Sequence, residues 1–353
     1  MYRSLQAGRA AAAVLVVLFH LGGAFAASHY FALPAFAIPF SFGDAGVPFF
    51  FVLSGFIIAT VHRRDLGRPE RLGRYAFRRM VRIFPPYWLV FVAVFLGVSL
   101  SPDLRGILPT DPLLIAKALL LVPLDKTVVS GTGAPVIVVA WTLQYEVVFY
   151  ILFGALIVRR WLGLAAAGGL LGAYLWGQGR EGVSFPVSFI AEDCMLVFFI
   201  GVAVAALHSS PLRIDRPRLL AMVGGMLFSV VALGHVFGVD LVGDREVLAY
   251  GLASGVMVLG LVRAEDRGIV VGGHPVLQEI GNASYALYLL HFPLISLLSK
   301  VAMFLGLGSA GLAGALAGYV AILLSCIAAA VTFHRWIEVP LLRRLNEGRG
   351  VHG

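Results

Sequence analysis

The chain has 353 residues, 59% of them hydrophobic and only 13% charged, with a mean hydropathy of +0.91. A soluble domain carries about 25% charged residues, so a water-soluble globule is excluded. The net charge of +8 would suit nucleic acid, but its placement along the chain removes that reading.

Apolar stretches of membrane-crossing length recur from end to end. They lie at 9–27, 44–61, 83–100, 136–158, 162–177, 189–207, 219–237, 246–262, 279–299 and 309–331. With the N-terminus inside, only Arg105, Lys117, Lys126, Arg180, Arg245 and Lys300 of the 27 Lys and Arg fall on the outer side. The positive-inside rule predicts such an asymmetry. The expected fold is therefore all-α: a polytopic transmembrane helical bundle of about ten spans with both termini cytoplasmic. Residues 1–353 read as one integral membrane domain, without an appended soluble domain. The first apolar stretch lacks a convincing cleavage site, so it is expected to be retained.

The first span opens as RAAAAVLVVLFH, with Arg9 and His20 eleven residues apart. On a helix that separation is about 16 Å of rise, and the two directions agree within about 20°. Both side chains project from one face, one near the cytoplasmic surface and one deep in the membrane. A long thin ligand with phosphates at one end and a thioester at the other has a matching shape. Arg9 also reads as a snorkelling anchor and His20 as a packing histidine. In the second span, GDAGVPFFFVLSGFII (43–58) places small residues where helices could approach closely.

Before the third span, RYAFRRMVRIFPPYW (74–88) sets Arg78 and Arg82 at i,i+4 and Arg79 and Arg82 at i,i+3, on one helix face. Pro85 and Pro86 are expected to break or reorient the chain there. The patch suits either anionic membrane lipid or the phosphates of a nucleotide-containing donor. Residues 101–135, rich in Pro and Gly, read as an external loop. Its 113–123 segment is too short to span.

Further on, WTLQYEVVFY (141–150) buries Glu146 in an apolar helix near Trp141 and Tyr145, and a carboxylate there needs a partner. Cys194 and Cys326 fall inside spans and read as packing residues. In NASYALYLLHFP (282–293), Ser284, Tyr288 and His291 form a polar stripe on one helical face, which suits a cavity lining. The last span ends in HRWIEVPLLRR (334–344). No metal-ligand spacing, phosphate-cradling Gly loop or GxSxG elbow is present, and no metal is expected.

Taken in order, these segments resemble the acyltransferase 3 family of integral membrane O-acyltransferases. The resemblance spans nearly the whole chain. It rests on Arg9 and His20, FFFVLSGFII, RRMVRIFPPYW, WTLQYEVVFY, SYALYLLHFP and Glu338-Val339-Pro340. The opening LQAGRAAAAVLVVLFH is most similar to the exopolysaccharide-modifying branch. Family members often carry Asp where Pro48 stands here. The resemblance implies transfer of an acyl group, commonly acetyl from acetyl-CoA, to a hydroxyl of a cell-envelope or exported glycan or lipid-linked sugar in the bacterial inner membrane.

On that basis His20 is expected to act as general base, with Glu146 as its orienting partner. Arg9, Arg78, Arg79 and Arg82 would hold the donor's phosphates. Trp141, Ser284, Tyr288 and His291 would line the acceptor cavity or stabilise an oxyanion. The competing reading is a transporter or flippase of a lipid-linked sugar, whose related halves are not evident here. The oligomeric state is left open.

Overall fold

The computed structural model describes residues 2–101, 105–127, 132–178, 180 and 182–347. Pro102 and Gly131 of the expected loop lie outside the described residues. Every regular element among the described residues is helical. In chain order these are α1 (Arg3–Ala26), α2 (Gly46–Val61), α3 (Leu72–Ser99), α4 (Pro112–Leu119), α5 (Trp141–Val158), α6 (Arg160–Gly177) and α7 (Val187–Ile190). They continue with α8 (Cys194–Ser209), α9 (Pro217–Val236), α10 (Glu246–Glu265), α11 (Pro275–Asn282), α12 (Ser284–Phe304), α13 (Gly311–Phe333) and α14 (Val339–Glu347). A π-helical turn over His334–Glu338 joins α13 to α14.

Among the described residues nine helical stretches are long and apolar enough to cross a membrane. The expected span at 162–177 is helical, as α6, but is not one of the nine. Its opening arginine and five interspersed glycines dilute its hydropathy. The protein is thus a multi-pass helical membrane protein.

The chain divides into two compact units, Met1–Phe56 with Phe199–Val339, and Ile57–Phe198 with Pro340–Gly353. In the first unit α1 packs against α10, α11, α12 and α13. Val17, Leu21 and Phe25 of α1 are fully buried against Ala286 and Leu287 of α12 and Ile322 and Cys326 of α13. The Glu265 carboxylate closes the start of α1, accepting from the Arg3 and Ser4 amides at 2.7 and 2.8 Å. Two amides that a helix start leaves unpaired are thereby satisfied.

Glycine sets the tightest approaches. A Cβ on Gly46 would strike the Ala12 carbonyl of α1, and one on Gly201 would strike α2 backbone at Val52. Between α9 and α10, Gly224 abuts Met257 backbone and Gly260 abuts Ala221. Without a hydrophobic drive between helices in lipid, such backbone proximity and the packing it permits supply the adhesion.

In the second unit α3 runs unbroken from Leu72 to Ser99 with Pro85 and Pro86 inside it. The expected break at the prolines does not occur. Each proline removes one amide donor, but a helix in apolar surroundings keeps the remaining ladder because no water competes for it. The short α4, capped by Asp111 accepting from the Leu113 amide at 2.8 Å, docks on α3. Tyr87 Oη and Trp88 Nε1 donate to the Ala118 and Leu119 carbonyls, each at 2.8 Å.

Candidate active site

The first unit places two polar pairs along the contact between α1 and α12. At one end Arg9, only 7% exposed, donates from Nε to Ser284 Oγ at 3.1 Å. One turn earlier Gln6 Nε2 donates to Asn282 Oδ1 at 2.7 Å. Arg9 is therefore buried between helices and does not snorkel to the surface.

At the other end His20 meets His291, with ring centroids 5.0 Å apart. His291 Nδ1 lies 3.0 Å from the Leu287 carbonyl and must donate to it, so its Nε2 carries a lone pair. His20 Nδ1 lies 2.9 Å from the Val16 carbonyl and 3.3 Å from that Nε2. The Val16 carbonyl and a neutral His291 are both acceptors, so Nδ1 of His20 bears a proton, and on a neutral ring Nε2 is the basic nitrogen. This tautomer is dictated by the partners. Phe19 and Phe292 stand edge-on to the His20 ring at 5.1 and 5.3 Å.

His20 lines a cavity of about 470 Å³ together with His29, Tyr30, Ser41, Phe292 and Ser296. Tyr30 Oη and Ser296 Oγ are 3.1 Å apart. Ser284, Tyr288 and His291 were expected to line a cavity. They are buried at 1%, 8% and 0% exposure and do not line this cavity. The lining polar groups His29, Tyr30 and Ser296 escaped the sequence reading. The adjacent His-Tyr directly after the first span was the available signal.

The second unit holds the arginine turn. Arg79 Nη2 donates to His62 Nε2 at 3.0 Å, and His62 Nδ1 donates to Asp65 Oδ2 at 2.8 Å. A neutral imidazole satisfies both contacts at once. Burial holds His62 below its ordinary range, with Arg79 adding to the effect against the pull of Asp65. The Arg79 guanidinium also lies 5.6 Å from the Tyr150 ring centroid and 6.0 Å from that of Tyr75. Its buried Nε has no hydrogen-bond partner. Arg78 is half-buried and Arg82 exposed.

Half-buried Glu146 accepts a hydrogen bond from Tyr150 Oη. Trp141 opens α5 on the wall of a different cavity of this unit. Thus His20, Arg9, Ser284, Tyr288 and His291 belong to the first unit, and Arg78, Arg79, Arg82, Glu146 and Trp141 to the second. The residue that sequence reasoning missed here is His62, although Asp65 three positions on was an available signal. Cys194 and Cys326 are free and buried, as expected. Among the described residues no group of His, Cys, Asp and Glu could hold a metal ion.

The chain is a multi-pass helical membrane protein with an imidazole on a cavity of its first unit and an arginine-bearing helix in its second. The chain belongs to the acyltransferase domain family, whose model matches residues 2–335. It is similar to the exopolysaccharide production protein ExoZ of Rhizobium meliloti (strain 1021). That similarity is 30% identity over 315 residues, covering 86% of this chain and 91% of ExoZ. It is also similar to the acyltransferase MdmB of Streptomyces mycarofaciens, at 26% identity over 342 residues, covering 88% of this chain and 83% of MdmB. No solved structure matches the chain.

Proposed function

We propose that this membrane acyltransferase moves an acyl group, acetyl in the simplest case, from acyl-CoA to a hydroxyl of an exported or cell-envelope glycan in the bacterial inner membrane. The observation that carries the reading is the His20 tautomer: a basic Nε2 on a ring that lines a 470 Å³ cavity. In the reaction the acceptor oxygen attacks the thioester carbonyl while His20 Nε2 takes its proton. The carbon–sulfur bond then breaks, and the thiolate leaves and takes a proton. A positioned base contributes about 10²–10⁴-fold to such a step.

Acyl-CoA brings the activated thioester and an anionic tail. Arg78, Arg79 and Arg82 suit the phosphates, and the unpartnered Arg79 Nε marks a donor awaiting an acceptor. Arg9 contributes its charge from between α1 and α12 and fixes Ser284. Glu146, which accepts from Tyr150 Oη, is assigned to the charge environment of the Arg79 guanidinium packed on the same ring. His291 keeps His20 in its productive tautomer, and Tyr288, Trp141 and Ser284 are assigned to acceptor-side positioning. Similarity to a protein named for exopolysaccharide production favours a glycan acceptor.

The test is acyl transfer by purified protein in lipid nanodiscs, with acetyl-CoA and the O-deacylated exported polysaccharide of the source cell. His20→Ala should lose at least 10²-fold in rate while inserting and melting like the parent. An active His20→Ala protein, or transport of a lipid-linked sugar without thioester consumption, overturns the proposal.

A further inference from the structure

The second unit contains a cavity of its own of about 420 Å³, with Trp141 on its wall. Its walls are the 124–127 segment, the first turn of α5 and the segment entering α7. The Lys and Arg distribution predicts that this side faces the exterior. We propose that it is a separate subsite that grips a neutral sugar ring of the acceptor glycan, resting on the glycan reading above.

The walls are held in place from α5. Gln144 Nε2 donates to the Gly133 and Val122 carbonyls at 3.1 and 3.3 Å, tying the backbone at both positions to the helix. Tyr145 donates to the Phe189 carbonyl at 3.1 Å and stacks on the Phe189 ring, with centroids 4.0 Å apart and planes within 10°. Leu121 and Val136, close to these two carbonyls in the chain, are non-glycine residues with positive φ of 53° and 69°. Strained backbone of this kind persists where surrounding structure over-determines it, and it gathers at binding sites.

The lining chemistry selects the ligand. Phe185 and Trp141 present apolar rings, Phe185 being 36% exposed. Ser184 and Ser188 add hydroxyls. Lys126 Nζ and Glu192 Oε1 pair at 2.8 Å with about half of each side chain open to solvent. An exposed pair of this kind contributes little stability, so both partners can turn to a ligand's hydroxyls at small cost. A pyranose offers an apolar C–H face for the rings and a rim of hydroxyls that both donate and accept.

Two carboxylates, Asp125 and Glu192, face one ammonium, Lys126. Backbone and hydroxyl of Thr127 hold the Asp125 carboxyl below the usual range, so it stays charged. The resulting negative balance disfavours phosphate and separates this cavity from the arginine turn. Its volume lies within the usual range for small-ligand sites.

The experiment titrates oligosaccharides cut from the O-deacylated exported polysaccharide of the source cell into the full-length protein in nanodiscs, followed by calorimetry. Phe185→Ala and Glu192→Gln should each weaken binding tenfold or more, and Phe185→Tyr should restore it. In turnover the acceptor KM should rise by the same factor, while kcat at saturating acceptor and acceptor-free thioester hydrolysis stay within twofold. Unchanged binding in Glu192→Gln, which alters one atom and decides the matter if Phe185→Ala fails to fold, overturns the subsite. So does a parent protein that binds no oligosaccharide. Binding without acyl transfer to the glycan leaves the subsite standing and removes the proposed reaction instead.

Discussion

At the scale of single residues, two histidines are set by their partners, His20 in the placement of its Nδ1 proton and His62 in its charge. His20 is fixed by two acceptors on Nδ1. Replacing His291 by Phe removes one of those acceptors while keeping a ring in place. The acyl-transfer rate of His291→Phe should fall about tenfold, less than in His20→Ala, because Val16 still orients the base. His62 is neutral because burial and Arg79 outweigh Asp65. The unfolded chain takes up a proton near the ordinary value of 6.5, whereas the folded protein resists it until a lower pH. The stability tied to His62 is therefore complete above that value and is lost as pH falls through the interval below it. Melting temperatures taken from about pH 8 to about pH 5 should drop more steeply in the parent than in His62→Gln. Equal slopes would show that His62 carries no linked proton. Sequence spacing had already put Arg9 and His20 on one face. It could not show that Arg9 ends on Ser284, because the partner lies 275 positions away.

At the scale of elements, the helices were largely legible, because a membrane span needs about 20 apolar residues and the period of hydropathy reveals it. The exceptions are instructive. The continuity of α3 through Pro85 and Pro86 contradicts a local rule that holds in water, where freed carbonyls are quickly solvated. Glycine pairs are equally opaque in sequence: Gly224 and Gly225 are neighbours on α9, yet a Cβ on Gly224 collides with Met257 backbone and one on Gly225 meets nothing within 4 Å. Gly224→Ala should destabilise the protein by about 1–3 kcal/mol through overpacking. Gly225→Ala should be neutral or stabilise by up to about 1 kcal/mol through helix propensity. Thermal melting of the two variants in one detergent checks both. Similar shifts in the two would contradict the close approach of α9 and α10.

At the scale of the whole molecule, the Lys and Arg distribution predicts which loops face the cytoplasm. With buried Cys194 and Cys326 silent, a membrane-impermeant maleimide should label exposed Arg105→Cys in intact cells. It should reach exposed Arg64→Cys only after permeabilisation; the reverse pattern would invert the topology. Charge, hydropathy and a handful of ordered motifs sufficed for the all-helical membrane architecture and the acyltransferase family, since these are properties of segments and survive without knowledge of contacts. Contacts themselves came only from the tertiary structure. The His20–His291 tautomer, the burial of Arg9, the His62–Asp65–Arg79 chain and the loop cavity beneath Gln144 each join residues from separate helices or loops. Local sequence sets what each side chain can do, but hydrogen-bond partners and enclosed space arise only when distant segments pack.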